Sequence, residues 1–145
     1  MLSLYRTLYI SRAAPGVLDR LLESASQIVA TSDRNNSRLG VTGALLAHDG
    51  WFVQAIEGER ARLSSLLLKI ARDPRHGALE ILTFAPAESR LFEGWAMAHA
   101  TVTPEVAPLL GRVEALGGGF DPDRMDADVL VTVLGAAMQA RSSAA

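Results

Sequence analysis

The sequence predicts an α+β sandwich in which a βαββαββ order places two helices over one face of a sheet and leaves a helix pair at the C-terminus. Three observations carry this. Residues Gly40 to Glu59, GVTGALLAHDGWFVQAIEGE, are two apolar runs joined at His48-Asp49-Gly50, the signature of a β-hairpin. Apolar stripes at helical spacing flank the hairpin, Val17 to Val29 before it and Leu63 to Ile70 after it. From Pro104 onward the period is again helical.

Residues 4–11 alternate as a strand, with Leu4, Leu8 and Ile10 on one side and Arg6 at the exposed end of that row. Tyr5, Thr7, Tyr9 and Ser11 form a hydroxyl-rich row on the other side. Pro15 suits a helix start, and Val17, Leu18, Leu21, Leu22, Ala25, Ile28 and Val29 mark an amphipathic helix over 16–32. The polar run Thr31 to Arg38 ends that stripe. Asn35 and Asn36 within it suit a C-cap or turn, and equally suit the grip of a planar polar ring.

In the hairpin, strands over 40–47 and 51–57 put Phe52, Gln54 and Ile56 on one face and Trp51, Val53 and Ala55 on the other. Gln54 is the anomaly. An unpaired amide between two large apolar side chains costs about 1–3 kcal/mol, so it needs backbone, a neighbouring hydroxyl or a ligand. Tyr9 is one such hydroxyl if its row faces the same side, because facing side chains on adjacent strands sit ~5 Å apart.

Glu57-Gly58-Glu59 reads as a turn into a helix over 59–72, which ends near Asp73 because Pro74 disfavours helical geometry before it. Lys69 and Asp73 stand at i,i+4, either as a solvated ion pair or with the Lys turned to a ligand oxygen. His76 reads as a structural or exposed imidazole, and with no second His at ligand spacing no metal site is expected. Leu79, Ile81 and Thr83 alternate with Glu80, Leu82 and Phe84 in a strand over 78–85. Residues 89–98 read as a turn into a short strand over 93–98, with Trp95 and Met97 sharing a face as core packing or as a surface that repacks. Helices follow over Val106 to Leu116 and Met125 to Met138, broken by Gly117-Gly118-Gly119, and the tail from Arg141 should fray. The whole is a ferredoxin-like order with an extra strand. The terminal helix pair is expected on the opposite sheet face, with a dimer contact as the competing use.

Composition bounds the function. At 145 residues the chain is long enough for one domain with its own core. Lys+Arg 14 against Asp+Glu 16, with no single-sign blocks, gives a net charge of −2 and lacks the footprint of a nucleic-acid binder. Cysteine is absent, which removes disulfides, thiolate metal sites, cysteine nucleophiles and thiol-adduct photochemistry, and points to the cytoplasm. The N-terminal MLSLYRTLYIS is too short and polar for a signal peptide, and no apolar run reaches the ~18 residues of a membrane span.

Six blocks in chain order resemble the BLUF family of flavin-binding blue-light sensors. They are Leu8-Tyr9-Ile10-Ser11, Ser32-Asp33-Arg34-Asn35-Asn36, Gly40-Val41-Thr42-Gly43-Ala44-Leu45-Leu46, Phe52-Val53-Gln54-Ala55-Ile56-Glu57-Gly58, Arg72-Asp73-Pro74-Arg75-His76 and Arg90-Leu91-Phe92-Glu93-Gly94-Trp95-Ala96-Met97. The resemblance implies a photosensory core over residues 1–99 and a C-terminal helical cap, or output helices, over 100–145. It implies a noncovalently held flavin, FAD with FMN as an option, whose ring lies between the two helices. By the same resemblance Tyr9 is the photoactive tyrosine, Gln54 the switching glutamine, and Asn36 the partner of the ring's carbonyl and imide edge. Asn35 and Ser32 stand at the polar edge of the ring, Lys69 near the pyrimidine end or ribityl chain, and Asp73 beside it. Trp95 and Met97 match the pair whose exchange relays the signal.

The resemblance also implies that light leaves the glutamine rotated or tautomerised, with a stronger hydrogen bond to the ring and a small red shift. The chain leaves no room for an enzymatic effector after residue 99, so the expected output is a partner protein or the chain's own oligomer, without enzymatic activity, nucleic acid or membrane. Two other readings stand beside this one. One is a light-independent flavin- or ligand-binding regulatory domain of the same fold; the other is a small hydrolase, for which a nucleophile and base pair or a phosphate loop is lacking.

Overall fold

The computed structural model describes residues 3–18, 20–100, 122 and 125–144. Strands β1 (Leu4–Ala13), β2 (Thr42–His48), β3 (Trp51–Glu59), β4 (His76–Pro86) and β5 (Ala98–Ala100) form one sheet in the order β4-β1-β3-β2-β5. The first four pair antiparallel in the ferredoxin-like order, and β5 adds to β2 in parallel. Helices α2 (Leu21–Leu39) and α3 (Arg60–Ala71) cover one face, preceded by the single turn α1 (Pro15–Leu18). Helix α4 (Ala127–Ala144) covers the other.

The pleat of the central strands divides two cores. Leu8, Ile10, Val53, Ala55 and Trp51 face α4 and meet its Leu130, Val133 and Leu134. Tyr9, Phe52 and Ile56 face the other way and meet Ala25 of α2 and Leu63 and Leu67 of α3. This is the alternation read from the sequence. The hairpin is closed by Asp49 (φ 52) and Gly50 (φ 82), the two positive φ angles that a two-residue I′ loop requires. One helix of the expected terminal pair therefore lies where predicted; its partner over 106–116 falls outside the described residues.

Five elements differ from the sequence reading. The first helix does not run over 16–32: Arg20 (φ −129, ψ 33) interrupts it, and α2 continues through the polar run to Leu39, ending at Gly40, whose N–H bonds Asn36 O. Asn35 and Asn36 are thus inside a helix, not leaving one. The stripe Val29, Ser32, Asn36, Leu39 keeps its helical spacing but turns polar where it reaches the site described below. Glu57-Gly58-Glu59 is not a turn, because β3 pairs with β1 as far as Leu4↔Glu59. In β4, register shifts opposite Leu8/Tyr9 and Ile10/Arg12 change the parity, so Leu79 and Phe84 share the α2/α3 core while Leu82 joins the α4 core. The strand predicted over 93–98 is only Ala98–Ala100; residues 87–97 form bends and turns. The tail continues as helix to Ala144. Among the described residues no helix is long and apolar enough to cross a membrane, and none of them form a cluster able to hold a metal ion.

Candidate functional site

A cleft of about 170 Å³ opens between α2 and α3 above the sheet. Its floor is Tyr9 from β1, Leu45 from β2, and Phe52 and Gln54 from β3; its walls include Ile28, Ser32 and Asn35 from α2 and Leu66, Lys69 and Ile70 from α3. Asp73, Arg75 and His76 close one end. On this face β1 presents the hydroxyl-bearing row Tyr5, Thr7, Tyr9 and Ser11, and β3 presents Gln54 between Phe52 and Ile56. Tyr9 and Gln54 are direct register partners on adjacent antiparallel strands, which puts phenol and amide side by side.

Tyr9 Oη donates to Gln54 Oε1, and Gln54 Nε2 donates to Met97 Sδ at 3.3 Å. The three residues are 3%, 2% and 4% exposed, so the chain of contacts is sealed from water and each group depends on its neighbour. Burial, and secondarily the negative charge of Asp73, pushes the Tyr9 phenol far above its usual range, so it is a neutral donor at any physiological pH. The Asp73 carboxyl is held low, first by the Arg75 guanidinium, which donates from Nε at 2.9 and 3.0 Å and from Nη2 at 2.5 Å. Asp73 is therefore engaged by Arg75, not by Lys69, whose ammonium stands exposed at the cleft rim.

Asn36 is 1% exposed and stands behind the cleft wall. Its Nδ2 donates to Ala96 O at 2.9 Å, while its Oδ1 has no partner. A buried acceptor left empty costs roughly 1–3 kcal/mol, so this atom is an opening for an N–H donor. Trp95 and Met97 do not share a face. Met97 lies in the α2/α3 core against Gln54, while Trp95 packs into the α4 core and its carbonyl accepts from Gly43 N–H at 3.0 Å. The irregular backbone of residues 87–97 removes the period-2 rule that predicted a common face.

Of two further residues, His76, read from the sequence as a structural or exposed imidazole, is structural, and Glu57 was not singled out. His76 is half-buried: Nδ1 meets Ser11 Oγ and Nε2 meets Ile70 O, both at 2.6 Å, and its ring stands edge-on to Phe52 with centroids 6.1 Å apart. It ties β1, α3 and β4 together beside Tyr9, and its place next to Asp73 and Arg75 was the available signal. Glu57, read as part of a turn, is a fully buried carboxylate on the opposite sheet face. The alternation that exposed Gln54 also gives the side on which Glu57 points.

These residues fit a flavin. The unpartnered Asn36 Oδ1 is an acceptor of the kind a flavin's imide N–H would satisfy, Ile28, Leu66 and Ile70 offer apolar wall to a tricyclic plane, and Lys69 at the rim suits polar substituents. Comparison with known proteins agrees. The family model for BLUF, sensors of blue light using FAD, matches residues 4–98. The photoactivated adenylate cyclase subunit beta of Euglena longa is 38% identical over 94 residues, covering 64% of this chain and 11% of that protein. The match thus spans about a tenth of that relative's length. The dark-state structure of BlrB, a BLUF protein, is 31% identical with a TM-score of 0.71, covering 97% of this chain and 98% of that one. Klebsiella pneumoniae BlrP1 with FMN and cyclic diGMP is 32% identical with a TM-score of 0.61, covering 68% of this chain and 26% of that one. The matched unit is a sensor domain, and the chain belongs to the BLUF family of blue-light sensors that use a flavin.

Proposed function

We propose that the chain is a cytoplasmic blue-light receptor in which Tyr9 and Gln54 form the switch, Met97 and Asn36 read it, and residues 94–100 carry it to α4. The sealed Tyr9–Gln54–Met97 chain is the observation that carries this reading. A flavin held in the cleft supplies the absorption of blue light and an excited-state electron acceptor next to Tyr9. The residues do the rest. While the Tyr9 O–H points at Gln54 Oε1, the amide is fixed with its Nε2 toward Met97 Sδ. Loosening the O–H bond frees the amide to adopt its second pattern, with oxygen and nitrogen exchanged or with its tautomer changed. Exchange of oxygen and nitrogen withdraws the donor from Met97, and the tautomer leaves Nε2 with one N–H in place of two. Because Asn36 holds Ala96 O beside Met97, a changed Gln54 reaches the backbone that enters β5.

With a flavin bound, Ser32 and Asn35 would line the polar edge of its ring and Lys69 with Asp73 would flank the pyrimidine or ribityl end, while the unpartnered Oδ1 of Asn36 would pair with its imide edge. Residues 1–99 act as the photosensory core and 100–145 as the output cap, engaging a partner protein or a second copy of the chain. FAD is the expected flavin, with FMN accommodated. An absorption spectrum before and after blue illumination tests the reading. The protein should be yellow and show a reversible red shift, and Tyr9→Phe and Gln54→Leu should retain flavin without that shift. A protein that takes up no flavin on reconstitution would reject the proposal.

A further inference from the structure

Glu57 lies three residues beyond Gln54 on β3, on the opposite face, with a relative exposure of 0%. Its carboxylate is saturated. Oε1 accepts from Phe92 N at 3.0 Å and Thr42 Oγ1 at 3.0 Å; Oε2 accepts from Leu91 N at 2.8 Å and Arg6 Nε at 2.9 Å. Arg6 Nη2 also donates to Ser89 O at 2.8 Å, and Arg90 donates to Thr42 Oγ1 and to Gly40 O, each at 2.9 Å. A fully buried carboxylate demands such a shell, and here two of its four donors are consecutive backbone amides of a segment with no strand pairing of its own.

The same segment is fastened a second time, five residues on. Met97 Sδ meets Gln54, Ala96 O meets Asn36, and Trp95 O meets Gly43. Between the two fastenings stands Gly94 at φ 85, where a Cβ would meet nothing within 4 Å. The first fastening is made of ionic and backbone groups on the face away from the cleft; the second includes the switch residue Gln54, beside Asn36 and the Gly43 amide. We infer that Glu57 is a positioning residue, the fixed end of the 89–97 segment, so that a change at Gln54 is delivered to Trp95 and β5 about Gly94 instead of shifting the whole segment.

This inference rests on the light-switch reading above, and its test separates the two. In a Trp51→Phe background Trp95 is the sole tryptophan of the two in the chain. Flavin-loaded protein in that background should show both the red shift and a light-dependent change in Trp95 emission. Glu57→Gln keeps one acceptor oxygen but turns an NH₂ toward two of the four donors. The red shift should remain, the Trp95 response should vanish, and the Leu91 and Phe92 amides should exchange with solvent at least about tenfold faster. A full red shift with an undiminished Trp95 response in Glu57→Gln overturns the inference, whereas absence of the red shift in the parent overturns the light switch itself. Should Glu57→Gln fail to fold, unsubstituted protein decides: Leu91 and Phe92 amides equally protected in dark and light support a fixed end, and protection lost on illumination refutes it.

Discussion

The Tyr9–Gln54 contact should behave as a tightly coupled pair. Tyr9→Phe removes the hydroxyl that donates to Gln54 Oε1, stranding an acceptor in a residue only 2% exposed. Gln54→Leu strands the phenol O–H in a residue 3% exposed and takes the donor from Met97 Sδ. Each single change should cost about 1–3 kcal/mol, because a buried polar group loses its partner and gains no water. In the double variant both polar ends are gone and two apolar groups meet instead, so most of that penalty should disappear. The coupling energy is then most of the singles' sum of about 2–6 kcal/mol, with the double variant more stable than that sum implies. For a chain of this length ~1 kcal/mol corresponds to roughly 2–4 °C in Tm, so each single should lose roughly 2–12 °C. The assay is urea unfolding of all four proteins at saturating flavin, with flavin affinity measured in parallel because a bound ligand adds its own stabilisation. Strict additivity of the two singles would refute the reasoning.

Other outcomes follow from the same geometry. Gly43→Ala would place a Cβ 2.4 Å from Ala55 O, a backbone atom that cannot step aside; it should cost roughly 3 kcal/mol in urea unfolding, and an unchanged midpoint contradicts the close approach of β2 and β3. Tyr9 has a folded pKa raised above its unfolded value, so its contribution to stability is complete below about pH 10 and declines as pH rises beyond it. In a Tyr5→Phe background, no tyrosinate absorbance should develop until the fold opens, and titration of a folded protein with an ordinary tyrosine midpoint would contradict the burial. Asp73 has the opposite sign: its lowered pKa contributes stability above the unfolded carboxylate range that is lost as pH falls through the folded value, below about pH 4. Asp73→Asn should remove that acid dependence, read by thermal unfolding across pH. Met97→Leu keeps the volume and removes the acceptor of Gln54 Nε2, so the dark arrangement loses about 1 kcal/mol and the red-shifted form should recover up to roughly fivefold more slowly; an unchanged recovery rate would show that Met97 does not hold the amide.

Much of the site was legible because it depends on local rules. The alternation of Trp51 to Ile56, fixed by the pleat and by Asp49-Gly50, placed Gln54 among apolar neighbours, and the alternation of Leu4 to Ser11 placed Tyr9 on a hydroxyl row. The extent of α2 was harder to read. Hydrophobic periodicity follows burial in apolar surroundings, and Ser32 and Asn36 continue the buried stripe with polar side chains because that turn of the helix faces the site. Parity in β4 failed for a related reason: an extra residue against β1 costs little in sequence pattern but inverts every side chain beyond it. The loop before β5 failed most completely. Trp95 and Met97 alternate as a strand would, yet Glu57 captures the Leu91 and Phe92 amides and Gly94 reverses the chain, so neither residue belongs to a sheet.

The sequence by itself determined the ferredoxin-like α+β order, the two-sided sheet and the rows on which Tyr9 and Gln54 stand, since pleat, helical period and turn chemistry act between residues a few positions apart; that the two rows face the same side and that Tyr9 meets Gln54 came from the β1–β3 register. Tertiary structure alone decided that Met97 and not Trp95 meets the amide, that Asn36 keeps an empty acceptor while holding Ala96, and that Glu57 anchors the loop. Those contacts join residues 34 to 60 positions apart through single hydrogen bonds. A hydrogen bond of that reach leaves no periodic trace in the chain, because it depends on where two distant backbones come to rest and not on what stands beside either residue.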